Sequence, residues 1–300
     1  MKISVGIVGY GNLGKAVEQI VNNDPRFELA GIFSRRNLPN IKSIDDILNY
    51  KDKIDVLFLC GGSATDLEGQ ARMLGKHFCL VDCYDNHNKL ESYIKKMDEI
   101  AKENETVYLS ALGWDPGLFS LARGFFASFG ETPKTFWGPG LSQGHSQAIR
   151  SLDGVLDGVQ FTIPNESAIE KIKNGEDLPQ SKDFHIRKCF VVAERGKERQ
   201  IEEQIQNMPD YFLGYKTEVE FVNQQKLNEI KNFAHGGMVI TNGGELCFSL
   251  KTKSNPMLTA RIATTYATVV KKLLETEAFG SYTIFDIPPS LFLEDKFRWL

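Results

Sequence analysis

Three glycines, Gly9, Gly11 and Gly14, stand in "VGIVGYGNLGKAV" between an apolar run and a helical pattern, and no other feature constrains the fold as much. Ile3, Val5, Ile7 and Val8 read as a strand, whereas Leu13, Ala16, Val17, Ile20 and Val21 recur at helical spacing. In a dinucleotide-binding turn the first glycine makes the bend, the second lets the backbone approach a pyrophosphate, and the third lets helix pack on strand. The N–H groups at the helix start then face the phosphates. Such a glycine pattern alone also occurs in ordinary turns; its place between a strand and a helix is what points to a nucleotide.

The residues that follow choose the nucleotide. In an NAD-binding unit the second strand ends, about 20 residues on, in an acid that holds the ribose 2′-hydroxyl. Here "ELAGIFSRRN" gives a strand over 29–33 that ends in Ser34, Arg35 and Arg36. Two guanidinium groups and a hydroxyl suit a 2′-phosphate, because arginine meets phosphate oxygens through a planar fork. The expected cofactor is therefore NADP(H); the competing reading makes both arginines solvated loop charges.

Three hundred residues suffice for two domains, and a net charge of −4 gives no reason to expect nucleic acid or an anionic membrane as partner. The five cysteines, Cys60, Cys79, Cys83, Cys189 and Cys247, form no CxxC pair. They read as thiols of a reducing compartment and not as a disulfide frame or a metal site. No apolar run approaches membrane-spanning length, so a cytoplasmic protein is expected.

Up to about residue 118 strands and helices alternate. Strands are expected at 55–60, 78–84 and 106–112, with helices over 64–76, 90–103 and 118–129. Such alternation means a parallel sheet whose ligands gather at the carboxyl ends of its strands. Those ends carry "GYGNLG", "SRR", "CGGSATD", "DCYDNH" and "GWDPG". Beyond them "FWGPGLSQGHS" reads as a glycine-rich loop, and 183–250 as strands of a mostly antiparallel second sheet with few helices between. The segment 166–182 reads as a surface helix and loop. A long helix is expected over 255–277, with Asn255 as cap and Pro256 at its first position.

Several residues have the chemistry of a site. Trp114 and Asp115 follow the fifth strand directly, where an indole and a carboxylate can cover and orient a substrate amine. Asp115 could equally cap the helix that Pro116 begins, and Asp85 at the end of the fourth strand has the same two readings. In the second half, Arg187 and His235 suit a substrate carboxylate. His235 precedes two glycines whose bare backbone leaves room for a ligand, and Arg187 could otherwise be a solvated edge-strand residue.

Taken together, "GYGNLG" with "SRR", "CGGSATD", "VDCYDNH", "ALGWDPG", "FWGPGLSQGHS", "LDGVLDGVQFTIP", "HIRKC", "HGGMVITNGG" and "NPMLTARI" resemble, in this order and nearly end to end, the meso-diaminopimelate dehydrogenases. The resemblance implies reversible, NADP-dependent oxidative deamination of meso-2,6-diaminopimelate at its D-centre, giving L-2-amino-6-oxopimelate and ammonia, in lysine biosynthesis. It implies catalytic roles for Asp115, Asp85 and Trp114 around the D-amino centre. Thr162, Arg187 and His235 would hold the carboxylate of the L-centre, with Asn255 near the same end, and Gln143 and Gly144 would contact the substrate backbone. For the cofactor it implies contacts from Gly9, Tyr10, Gly11, Asn12, Leu13 and Gly14, and from Ser34, Arg35 and Arg36. The loops after the third and fourth strands would add Cys60, Gly61, Ser63, Ala64 and Thr65, then Cys83 and Tyr84. The chain departs from the family in a shorter stretch between His235 and Asn255.

The expected fold class is thus α/β: a Rossmann-type doubly wound parallel sheet, residues 1–118 with 256–300, which binds NADP. A second α+β domain, 119–255, would bind substrate and form a homodimer. Two other readings remain at this point. One is another NADP-dependent reductase, of the lysine or opine type, acting on an amino or keto diacid. The other is a non-catalytic NADP(H) sensor.

Overall fold

Alternation decides the first half of the molecule. The computed structural model describes residues 2–63, 65–176, 181–209, 211–230 and 235–300, without the side chains of Gln143 and Ser181. The chain divides into two compact units, Met1–Leu121 with Asn255–Leu300, and Ala122–Ser254. The first unit begins with strand β1 (Ile3–Val8), helix α1 (Asn12–Asn23), β2 (Phe27–Ser34) and the short β3 (Lys42–Ser43). It continues through β4 (Val56–Leu59), α2 (Leu67–Leu74), β5 (Cys79–Asp82), α3 (Leu90–Glu103) and β6 (Val107–Leu109) to α4 (Leu118–Ser128). Its inner strands β1, β4, β5 and β6 are buried on both faces, as parallel strands between helices must be. Val56 and Phe58 of β4, Val81 of β5, and Val107 and Leu109 of β6 pack in one cluster, with Ala16, Val17 and Val21 of α1. The intervening Leu57, Leu59, Leu80 and Tyr108 pack in the other, with Leu67 and Ala71 of α2 and Tyr93 and Met97 of α3.

In the second unit the expected glycine-rich loop is instead regular structure. Strands β7 (Lys134–Trp137) and β8 (Gly140–Ser142) flank Gly138 and Pro139, and α5 (Gln143–Arg150) follows at once. Next come β9 (Val155–Pro164), α6 (Glu166–Lys173), β10 (His185–Ala193), α7 (Glu198–Gln206), β11 (Lys216–Phe221) and α8 (Gln224–Ile230). The unit closes with β12 (His235–Ile240) and β13 (Cys247–Thr252). Among the described residues these form two sheets, β11-β10-β9-β8 and β13-β12-β7. The expected mostly antiparallel arrangement holds for β8–β9, β9–β10, β7–β12 and β12–β13, divided over two sheets, while β10 and β11 pair in parallel. Parallel neighbours require a crossover, which α7 supplies. Its Ile201 and Ile205, one helical turn apart, are fully buried beside Phe212. The helix within 166–182 is likewise not all surface, since α6 buries Ala168, Ile169 and Ile172.

The chain then returns to the first unit. The expected helix over 255–277 is two helices, α9 (Asn255–Ala267) and α10 (Val270–Glu275). They part where Thr268 N–H reaches back only to Thr265 O and Val269 N–H only to Tyr266 O, while the Thr265 and Thr268 hydroxyls donate to main-chain carbonyls. Ala260, Ala263, Tyr266 and Ala267 of α9 join the cluster on the α1 face. Strand β14 (Gly280–Tyr282) completes a seven-stranded sheet of order β14-β6-β5-β4-β1-β2-β3. Every pair in it is parallel. The order runs outward in opposite directions from the β1–β4 pair, and a doubly wound sheet binds its ligand at the strand ends of that reversal.

Candidate active site

Gly9 leaves β1 at φ +92°, and a Cβ there would meet the Cys60 carbonyl carbon at 3.1 Å, so the ends of β1 and β4 meet backbone to backbone. At Gly14 a Cβ would lie 2.1 Å from Gly9 O, which leaves no alternative to glycine where α1 crosses the turn. Gly11 has open space around it. It precedes α1, which has no side-chain cap and no acid in its first turn. The first amides of a 12-residue helix are thereby left for an anion.

Two cavities at these strand ends share Gly61 and Gly62. The first, about 230 Å³, is bordered by Gly9, Tyr10, Gly11, Ser34, Arg35, Arg36 and Cys60. Arg36 Nη2 donates to Tyr10 O at 2.8 Å, its amide donates to Ser34 Oγ at 3.0 Å, and Arg35 Nη2 reaches Asp66 Oδ1 at 2.7 Å. Gln70 also borders this cavity, with a buried Oε1 that has no hydrogen-bond partner. Two guanidiniums, a hydroxyl, a glycine cradle and an orphaned acceptor fit the adenosine end of a 2′-phosphorylated dinucleotide. Asp66 and Gln70 were not legible as site residues, because both fall inside the helix expected over 64–76; α2 starts only at Leu67, and the Asp66 side chain makes no cap bond to it.

The second cavity, about 450 Å³, brings together Asn12, Leu13, Ser63, Cys83, Asp85, Trp114, Asp115 and Asn255. The loop that carries Trp114 and Asp115 is folded on itself. Gly113 N–H donates to Pro116 O, Leu118 N–H to Gly113 O and Phe119 N–H to Trp114 O. Asp85 does not cap α3, which is preceded by Lys89; its amide instead donates to Ser63 Oγ at 3.2 Å. Asn255 Oδ1 accepts from Trp114 Nε1 at 2.9 Å and from Thr259 Oγ1 at 3.1 Å. With that oxygen occupied twice, the Asn255 amide NH₂ is the part left for a ligand. Asn255, which the resemblance sets near the L-centre, therefore shares a cavity with Asp115 and belongs to the first unit.

The thiols at this edge are inert. Burial and the Asp82 charge push Cys60 up to about 12. Burial, with the charges of Cys60, Asp82 and Asp85, raises Cys83 far above its ordinary value, and its thiol donates to Leu112 O. Neither is a nucleophile at neutral pH. The Tyr84 side chain does not reach either cavity: it is fully buried, donates to Glu68 and stacks on Tyr93 at 4.1 Å. On the loop after β4, Thr65 is exposed, whereas Ala64 lies outside the described residues.

In the second unit Arg187 sits on β10, an inner strand, opposite Thr162 of β9. Its Nη1 donates to Thr162 Oγ1 at 2.6 Å, and its guanidinium carbon lies 4.3 Å from the centre of the Tyr215 ring. The Nε is buried with no partner, and among the described residues no carboxylate pairs with this arginine. Burial lowers its pKa, against the opposing effect of Tyr215. A half-buried cation without an anion is costly in proportion to its burial unless a ligand supplies one. Gly140 of β8 pairs with Thr162, and a Cβ on it would meet His235 Nδ1 at 3.2 Å. Gly140 thus lies against both Thr162 and His235, and Thr162 in turn holds Arg187. The glycine after His235 answers to the sheet and not to a ligand, since a Cβ on Gly236 would strike Leu250 O at 2.4 Å. Gly144, in α5, is exposed and open; the Gln143 side chain lies outside the described residues. Tyr215 had no signal in the sequence, because its approach to Arg187 follows from the parallel β10–β11 register.

Such a fold, with such strand-end loops, defines a dinucleotide-dependent dehydrogenase. Residues 113–253 match the family described as the diaminopimelic acid dehydrogenase C-terminal domain. The meso-diaminopimelate D-dehydrogenase of Acetivibrio thermocellus is 44% identical in an alignment covering 96% of this chain and 93% of that protein. The solved structure of Corynebacterium glutamicum DAP dehydrogenase in complex with DAP is similar at a TM-score of 0.89 and 40% identity, over 100% of this chain and 98% of that one. An engineered D-amino acid dehydrogenase bound to NADP+ gives a TM-score of 0.82 at 38% identity, with the same two coverages. The chain belongs to the meso-diaminopimelate D-dehydrogenase family.

Proposed function

We propose that this chain catalyses the NADP-dependent, reversible oxidative deamination of meso-2,6-diaminopimelate at the D-centre, yielding L-2-amino-6-oxopimelate and ammonia for lysine biosynthesis. The observation that carries the reading is the adjacency of two cavities that share Gly61 and Gly62 as lining, one bordered by Ser34, Arg35 and Arg36 and the other by Asp85, Trp114 and Asp115. When bound, NADP+ supplies the acceptor for the hydride lost by the D-carbon. Gly9, Gly11 and the first turn of α1 hold its pyrophosphate, and Ser34, Arg35 and Arg36 its 2′-phosphate.

Asp115 takes the proton of the D-ammonium, so that a neutral amine can push electrons into the forming imine, and then steers water onto that imine. Asp85 is the second carboxylate for these transfers. Trp114 covers the amine, and Asn255 orients the indole through the bond to its Nε1. Arg187, Thr162 and His235 hold the carboxylate at the L-centre, with Gln143 and Gly144 on the substrate backbone, so that only the D-centre presents its hydrogen for removal. Residues 1–118 with 256–300 serve the cofactor; 119–255 serve the substrate and a homodimer, in the cytoplasm.

The test is a substrate panel with NADP+. The meso isomer should be oxidised with release of ammonia, and the L,L-isomer, which has no D-centre, should not. Equal rates on the two would remove the reading.

A further inference from the structure

The adenosine-side cavity contains one anion that a phosphate-binding pocket does not call for. Asp66, immediately before α2, holds Arg35 Nη2 through Oδ1 at 2.7 Å, and both residues border the cavity with Ser34 and Arg36. The carboxylate is largely covered, at 18% side-chain exposure, whereas Arg35 is 66% exposed. In NAD-binding units the acid that receives the ribose hydroxyls ends the second strand. Here Ser34 stands at that end, and a carboxylate enters the same pocket from the loop after β4.

We propose that Asp66 is a cofactor-selectivity residue. Arg35 masks its carboxylate, and it is the Arg35–Asp66 pair, not Arg35 alone, that sets the preference for a 2′-phosphorylated ribose over a bare one. The inference rests on the NADP reading above. Loss of Arg35 then acts twice: it removes one phosphate partner, and it uncovers an anion that repels phosphate and can accept ribose hydroxyls instead. Loss of the Asp66 charge leaves both guanidiniums and removes the only opposing charge among the residues bordering the cavity.

Calorimetric titration of the full chain with adenosine 2′,5′-bisphosphate and with 5′-AMP tests this without turnover. Charge bookkeeping predicts that Asp66→Asn binds the bisphosphate about three- to tenfold more tightly and 5′-AMP as before. Arg35→Ala should lose at least about fiftyfold on the bisphosphate, and the double variant should regain at least about fivefold of that loss. Weaker bisphosphate binding by Asp66→Asn, or less than about a twofold gain when it is added to Arg35→Ala, would make Asp66 a mere surface partner and overturn the proposal. A wild-type chain that does not prefer the bisphosphate would instead overturn the cofactor reading on which the proposal stands.

Discussion

Gly117 has room for a hydrogen and nothing more. It adopts φ +135°, and a Cβ would stand 1.7 Å from Gly113 O, inside the turn that presents Asp115. Gly117→Ala should therefore lower kcat by about a hundredfold through misplacement of the carboxylate, a loss read in steady-state rates on meso-diaminopimelate. The chemistry and the clamp can be separated at single residues. Asp115→Asn should reduce kcat more than it changes KM, as expected for a group that acts in the chemical step. Arg187→Met removes the charge-assisted contact proposed for the far end of the substrate. It should lower kcat/KM by at least about a hundredfold, with KM carrying a clear share.

At the scale of elements, the ends of β5 and β6 are tied by one buried carboxylate. Asp82, 1% exposed, accepts hydrogen bonds from the Tyr93, Tyr108 and Ser110 hydroxyls and from the amides of Tyr84 and Ala111. Asp82→Ala would leave the Ser110 hydroxyl and both amides without this acceptor and the Tyr93 and Tyr108 hydroxyls with only each other, so a loss of about 4 kcal/mol or more is expected in denaturant unfolding. A second element-level effect depends on pH. Burial, then the Arg187 charge, hold both His145 and His185 at about 4 against an ordinary 6.5, and His185 Nε2 accepts the Trp137 amide at 2.8 Å. The unfolded chain takes up these protons first. The contribution of these two groups should thus be constant above pH 6.5, fall as pH drops from 6.5 towards 4, and lose nothing further below that. Urea midpoints across this range test it, and His185→Gln should flatten the slope. The alternating half of the fold was legible because β1, β4, β5 and β6 are largely apolar runs and its loops carry the motif residues, whereas the two-residue β3, Lys42–Ser43, gave no signal. In the second unit the strands over 183–250 were legible, but β7, β8 and the α7 crossover were not, because β7 and β8 are three or four residues long around Gly138–Pro139, and α7 buries only two isoleucines in a polar sequence. The pairing of Thr162 with Arg187 needed the β9–β10 register, which linear spacing does not contain.

At the scale of the whole molecule, the homodimer proposed for residues 119–255 predicts a light-scattering mass of twice 33.7 kDa, retained on dilution to working enzyme concentrations. Among the described residues no helix is long and apolar enough to cross a membrane. The second unit interrupts the first: the chain leaves at Leu121 and returns at Asn255. That detour sets a schedule during synthesis. Residues 122–254 leave the ribosome with all their sheet partners already made, whereas β6 waits for Gly280–Tyr282 before its outer edge is paired. Until then the first unit also lacks Ala260, Ala263, Tyr266 and Ala267 from the core against α1. The cofactor fold, begun first, is thereby finished last, and its unpaired strand is the one a nascent chain must keep from its neighbours.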